Sequence, residues 1–323
     1  MDDVLKVEHI EAKPGCRSDG YLEEGEMEDG TPVRLPISLV NGSEPGPAMY
    51  VQAISDGDEL NGVAVIQKVL GRLSPSRLKG SLIAVPIVNV HGFQAHQGAN
   101  PVDGKKMNRC FPGRKDGTSS ARIAYRLYHG AVKQANTCVD LHQGGVKPMI
   151  DEVRVRVDRR KRIHKACMEM ARVFGIGYIL DSRGPAGQLA RAAPDEDIPT
   201  IDPELGGCVG WDAASIQKGV NGVENLLKHY GMIAGKPQIP ERQVVVDGFL
   251  TVLSNRGGFL HYRAELYDRL EKGDPVVDVT DPFGTVLETL TAPQESIFWS
   301  HTLRPMAASG QAVATLGKNI RYI

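Results

Sequence analysis

Ala48-Met49-Tyr50-Val51-Gln52-Ala53-Ile54-Ser55-Asp56-Gly57-Asp58-Glu59-Leu60 passes from an apolar strand straight into a polar, glycine-containing turn. Helical periodicity begins immediately behind it, with Leu60, Val63, Ile66, Val69 and Leu70 on one face. A strand that hands over to a helix through so short a turn is the building unit of an α/β sheet.

The unit recurs on either side. Upstream, the first 45 residues are polar and rich in turns, and the alternation from Val33 to Val40, ending at Asn41-Gly42, reads as edge strands. Downstream, Ser81 to Val90 reads as a strand buried on both faces, and His91 to Gly117 as a turn-rich loop. A helix over 119–135, a strand over 137–141 and a helix over 160–174 follow. Strands at 177–180 and 200–205 and a helix over 213–230 complete the series. This alternation predicts an α/β sheet with helices on both faces. From about Gln243 the texture changes to short strands punctuated by Gly257-Gly258, Gly273-Asp274 and Pro282-Phe283-Gly284, which predicts a small all-β domain. The expected division is residues 1–240 and 241–323.

The composition narrows the function. The 323 residues are 41% hydrophobic and 24% charged, enough for a sizeable core and too balanced for a disordered chain. Lysine and arginine number 38 against 39 acids, which gives no electrostatic footprint for nucleic acid or an anionic membrane. The longest basic run, Arg159-Arg160-Lys161-Arg162, reads as a solvated face. No stretch is long and apolar enough to span a bilayer, and the acidic start Met1-Asp2-Asp3 lacks the layout of a secretory signal. Five cysteines without a CxxC pair read as reduced thiols, so the expected location is the cytoplasm. The expected partner is a small molecule, and the composition is compatible with a homo-oligomer.

Ligands of open α/β sheets bind beyond the carboxyl ends of the strands, and several such ends carry polar groups here. Asp56 and Glu59 are three residues apart at a strand-to-helix junction, so both carboxylates can turn toward one point. His142 ends the apolar strand in Asp140-Leu141-His142-Gln143-Gly144-Gly145. Two carboxylates and an imidazole make a three-ligand site that leaves a position open for water. The bland readings are helix-capping acids and a hydrogen-bonded core histidine. Asn108 and Arg109, adjacent in a loop, form either a clamp for a substrate carboxylate or a surface salt bridge. Glu204, before Gly206-Gly207, is either a general base or an ordinary helix-start acid.

In this order, these pieces resemble the succinylglutamate desuccinylase/aspartoacylase family, relatives of the zinc carboxypeptidases. The likeness runs through Asn41-Gly42 and Gly46-Pro47, Gly57-Asp58-Glu59-Leu60-Asn61-Gly62, Pro86-Ile87-Val88-Asn89 and Gly92-Phe93. It continues through Pro101-Val102-Asp103-Gly104, Met107-Asn108-Arg109, Phe111-Pro112-Gly113, Asp140-Leu141-His142 and Glu204-Leu205-Gly206-Gly207. The resemblance implies a mixed, zinc-carboxypeptidase-like sheet and a deacylase that cleaves a small N-acylated amino-acid-like amide with a metal-activated water. Among subfamilies, the wording is most similar to the ectoine-pathway acetyl-diaminobutyrate deacetylases.

Residue by residue, the resemblance gives Glu59 and His142 as metal ligands and Glu204 as the catalytic glutamate. Asn108 and Arg109 match the substrate-carboxylate pair. Beside the resemblance, Asp140 is either an orienting group behind the site or a structural one. Three positions depart from the family's usual wording. Asp56 stands where the first ligand is ordinarily histidine; it can still bind zinc, and its harder oxygen widens the choice to manganese or iron. The stretch 94–100 lacks the arginine expected to polarise the scissile carbonyl, which nominates His96 or another arginine as a substitute. Lys106 replaces an aspartate or asparagine. The alternatives are another amide hydrolase on this fold, acting on lactams or as a carboxypeptidase, and a binding relative without catalysis.

Overall fold

The computed structural model describes residues 4–145, 147–208 and 210–323. Its centre is a mixed ten-stranded sheet. From one edge to the other the strands are Arg321–Tyr322, Val244–Val246, Tyr178–Asp181, Glu152–Val155, Thr200–Glu204, Thr137–Leu141, Glu44–Ala53, Lys79–Val85, Pro32–Asn41 and Cys16–Glu26. Thr137–Leu141 runs parallel to Glu44–Ala53 and to Thr200–Glu204, so the three strands deliver their carboxyl ends to one place. Glu152–Val155 runs antiparallel beside Thr200–Glu204.

Period-two alternation sorts the central strands between two cores. Met49, Val51, Ala53, Leu82 and Ala84 face a cluster shared with the helices Asn61–Arg72, His164–Phe174 and Ala213–His229. Tyr50, Ile83, Val85 and Cys138 face the opposite cluster, shared with the helix Ser119–Gly130 and the short helix Leu189–Ala192. The sheet is therefore covered on both faces, as the alternation predicts.

Two expectations need correction. Pro32–Asn41 is an interior strand, paired with Lys79–Val85 on one side and Cys16–Glu26 on the other. Its outer partner is too polar to announce itself as a strand, so the apolar strand looked like the edge. The basic run 159–162 precedes its helix rather than lying within it; it is exposed, as a solvated face should be, with Arg159, Arg160 and Lys161 paired to Asp181, Asp158 and Asp195.

Beyond the main sheet the C-terminal part is all β. Two four-stranded antiparallel sheets enclose Val252, Leu260, Val277, Val279, Phe298 and Leu316. A separate apolar cluster of Met149, Ile150, Leu180, Val246, Ile297 and Trp299 joins these sheets to the main one. Backbone bonds reinforce the joint, with Ile150 N donating to Trp299 O at 3.0 Å and His301 N donating to Pro148 O at 3.1 Å. This packing brings Phe249, Trp299, Ser300 and Thr315 to the rim of the cleft described next. Among the described residues no helix is long and apolar enough to cross a membrane.

Candidate active site

The site forms where the strand Glu44–Ala53 ends. Ile54 takes a positive φ of 54°, a costly conformation for a β-branched residue, and turns the chain out of the sheet. Gly57 then fits where nothing larger could, since a Cβ there would lie 2.1 Å from the backbone carbon of Gly92. Glu59 N donates to Asp56 O at 3.2 Å, closing a turn that presents both carboxylates together. The helix begins only at Asn61, and neither acid makes a capping bond to it. The capping alternative is thus not the one the chain adopts.

His142 arrives from the neighbouring strand. Its ligand atoms and those of Asp56 and Glu59 lie within 4.8 Å of one another, and all three residues are buried. Nδ1 of His142 is 2.8 Å from Glu59 Oε2, while Nε2 is 3.2 Å from Asp140 Oδ2. Behind this pair runs a buried relay. Tyr50 OH donates to Gln52 Oε1 at 2.8 Å, and Gln52 Nε2 donates to Asp140 Oδ1 at 2.9 Å. Asp140 thereby supports the His142 ring from the side opposite Glu59, the kind of partner that metal-binding histidines ordinarily have.

Glu204 ends the adjacent strand and lies beside His142, with Asp202 two residues back on the same face. Both acids meet arginines from Glu152–Val155 and its continuation. Arg154 pairs with Glu204 and Glu152, and Arg156 Nε donates to Asp202 Oδ2 at 3.0 Å. Ligand atoms of His142, Asp202 and Glu204 also come within 4.8 Å. Asp56 Oδ1 and Asp202 Oδ1 are each buried without a hydrogen-bond partner among the described residues. The second trio is neutralised by two guanidinium groups and the first only by the half-exposed Lys106, so the first fits a divalent cation better.

The electrostatics agree. Burial raises the Glu59 carboxyl above the usual carboxylate range, against the pull of His142, and Glu204 and Asp56 add to the rise. Burial disfavours a charged His142, but Asp140, Asp202 and Glu59 outweigh it and hold the imidazole well above its ordinary value. Burial likewise raises Glu204; Arg154 opposes, and Asp202 pushes further up. The acids crowded around this imidazole thus favour positive charge at the centre of the site, a role that a dication could take over.

These residues open into a cleft of about 560 Å³. Asn108 and Arg109 line it. Asn108 Nδ2 donates to Asp56 Oδ2 at 3.2 Å, and Arg109 Nη1 donates to both oxygens of Asn108 at 2.8 Å. Neither forms the surface salt bridge that was the alternative reading; among the described residues Arg109 has no acidic partner within ion-pair distance. His96 is different. It sits on an exposed turn after the short helix Val90–Gln94, with φ at 53°, and is not among the residues lining the cleft. Two further guanidinium groups line the cleft, those of the partly buried Arg154 and the buried Arg156. Their signal in the sequence is the period-two alternation Val153-Arg154-Val155-Arg156-Val157.

A mixed α/β sheet thus gathers Asp56, Glu59, His142 and Glu204 beyond the carboxyl ends of its strands, and the first three could hold a metal ion. The chain belongs to the family of the succinylglutamate desuccinylase/aspartoacylase catalytic domain, which matches residues 45–230. It is 28% identical over 256 residues to the N-alpha-acetyl-L-2,4-diaminobutyric acid deacetylase of Halomonas elongata, covering 77% of this chain and 75% of that protein. In fold it is similar to a succinylglutamate desuccinylase from Silicibacter sp., with a TM-score of 0.85, 24% identity and 99% of each chain covered. A product-bound ectoine utilization protein from Ruegeria pomeroyi superposes with a TM-score of 0.84 at 23% identity, covering 99% of this chain and 100% of that one.

Proposed function

We propose that the chain is a metal-dependent deacylase that hydrolyses the amide of a small N-acylated amino-acid-like substrate. The observation that carries this reading is the convergence of Asp56, Glu59 and His142 with Glu204 beside them at one end of the cleft. Asp56, Glu59 and His142 would hold one divalent ion, zinc in the first instance, with manganese or iron admitted by the two carboxylates. The bound ion would supply Lewis-acid chemistry toward water and carbonyl oxygen.

The chain's own groups do the rest. Glu204 takes a proton from the attacking water and returns it to the departing amine. Arg154 holds the Glu204 carboxylate in place. Asn108 and Arg109 receive the substrate carboxylate, the guanidinium offering its fork to an anion. Asp140 keeps His142 oriented. The cleft volume suits a small molecule rather than a polymer. The five unpaired cysteines support a reducing, cytoplasmic location.

The test is a turnover screen of metal-supplemented protein against N-acyl amino acids, dipeptides and lactams, beginning with Nα-acetyl-2,4-diaminobutyrate. Hydrolysis confined to the acyl amino acids is expected. Turnover of lactams or dipeptides alone would replace the deacylase reading. No turnover, with the metal bound, would favour a binding protein.

A further inference from the structure

Two of the three positions at which the motifs depart from their usual wording, 56 and 106, are in contact. Lys106 Nζ donates to Asp56 Oδ2 at 3.2 Å. The partners are unequal: the Asp56 side chain is 6% exposed and that of Lys106 is 54% exposed. Lys106 sits at the end of a small two-stranded hairpin, Ala99–Asn100 with Lys105–Lys106, on the wall of the cleft. Its ammonium thus reaches in from solvent to neutralise a carboxylate that is fixed from below by Asn108.

Lys106 and Asn108 both bind Oδ2, and a divalent cation on the free Oδ1 would lie only the width of one carboxylate from the ammonium, close enough for strong repulsion. The buried acid cannot move away, but a half-exposed lysine on a flexible stem returns to water at small cost. We propose that Lys106 is the resident counter-cation of Asp56, displaced when a divalent ion binds, and that it weakens the site's affinity for that ion. The proposal rests on the metal-site reading above. It also accounts for how an acid-rich, buried site is kept neutralised before metal arrives. Lys105 provides an internal control. It carries the same charge one residue away, yet its Nζ donates to Thr118 Oγ1 at 3.1 Å, away from Asp56.

The experiment is titration of chelator-stripped protein with Zn²⁺, in competition with a chromophoric chelator. Wild type is compared with Lys106→Met and Lys105→Met. Lys106→Met should bind roughly tenfold tighter than wild type, the size expected for removing one partly screened like charge. Lys105→Met should match wild type. Equal or weaker binding by Lys106→Met would overturn the displacement while leaving the metal site intact. An equal gain in Lys105→Met would also overturn it, because bulk charge would then explain the effect. A wild type that takes up no zinc would instead overturn the metal site itself.

Discussion

His142 and Glu204 stand side by side across a parallel bridge between the ends of their strands. Pro203 O accepts from His142 N at 2.8 Å, and His142 O accepts from Leu205 N at 2.9 Å. The backbone ladder, not a flexible loop, therefore sets the spacing between a candidate ligand and the candidate base. Replacing Glu204 with Gln keeps the ladder and the side-chain volume while removing the base. The variant should retain its metal and lose at least about two orders of magnitude in kcat on the substrate found by the screen. Paired metal analysis and turnover would check this, and undiminished turnover would remove Glu204 from the mechanism.

The relay behind His142 gives a second expectation. In Asp140→Asn the acceptor for Nε2 is weakened and the ring orientation loosens. Metal affinity should fall by about 10- to 100-fold, the usual consequence of losing such a partner. Chelator competition measures it, with circular dichroism to verify the fold. Unchanged affinity would mean that Asp140 only fills the core.

Arg154 makes the next prediction. Its guanidinium is enclosed between Glu152 and Glu204, and those acids, opposing the effect of burial, keep it firmly protonated. Arg154→Met would leave both carboxylates buried without their cation. Stability should drop by about 3 kcal/mol, the low end for breaking a buried pair from one side, as read by urea unfolding. A change under about 0.5 kcal/mol would show the pair to be dispensable.

Thiol reactivity tests the packing independently of function. Burial raises Cys138 strongly and Cys167 to about 11, so neither forms thiolate at pH 8. Cys110 and Cys208 are raised by partial burial, and Cys16 is exposed. Native protein should show one fast thiol, two slower ones and two that react only after unfolding. Rapid labelling of Cys138 in native protein would contradict the described core.

Much of this was legible in the sequence because the signals are local. Apolar alternation and helical faces marked the strand at 48–54 and the helices flanking the sheet, and strand ends carrying Asp56, Glu59, His142 and Glu204 singled those residues out. What escaped depends on tertiary pairing. The alternation Val153 to Val157 marks a strand, but the pairing of Arg154 with Glu204 and of Arg156 with Asp202 joins residues some 50 positions apart and is set by the tertiary fold. The cleft wall from Phe249 and Trp299 depends on docking of the C-terminal sheets. His96 was nominated by its place in a motif, whereas the backbone turns it outward.

The proposed metal site of Asp56, Glu59 and His142 is tested by elemental analysis of untagged protein, dialysed against dilute zinc, on wild type, Asp56→Ala and His142→Ala. About one zinc per chain is expected in wild type and none in either variant, with all three proteins folded. A folded wild type that retains no metal, or variants that retain it in full, would show that these residues do not form the site.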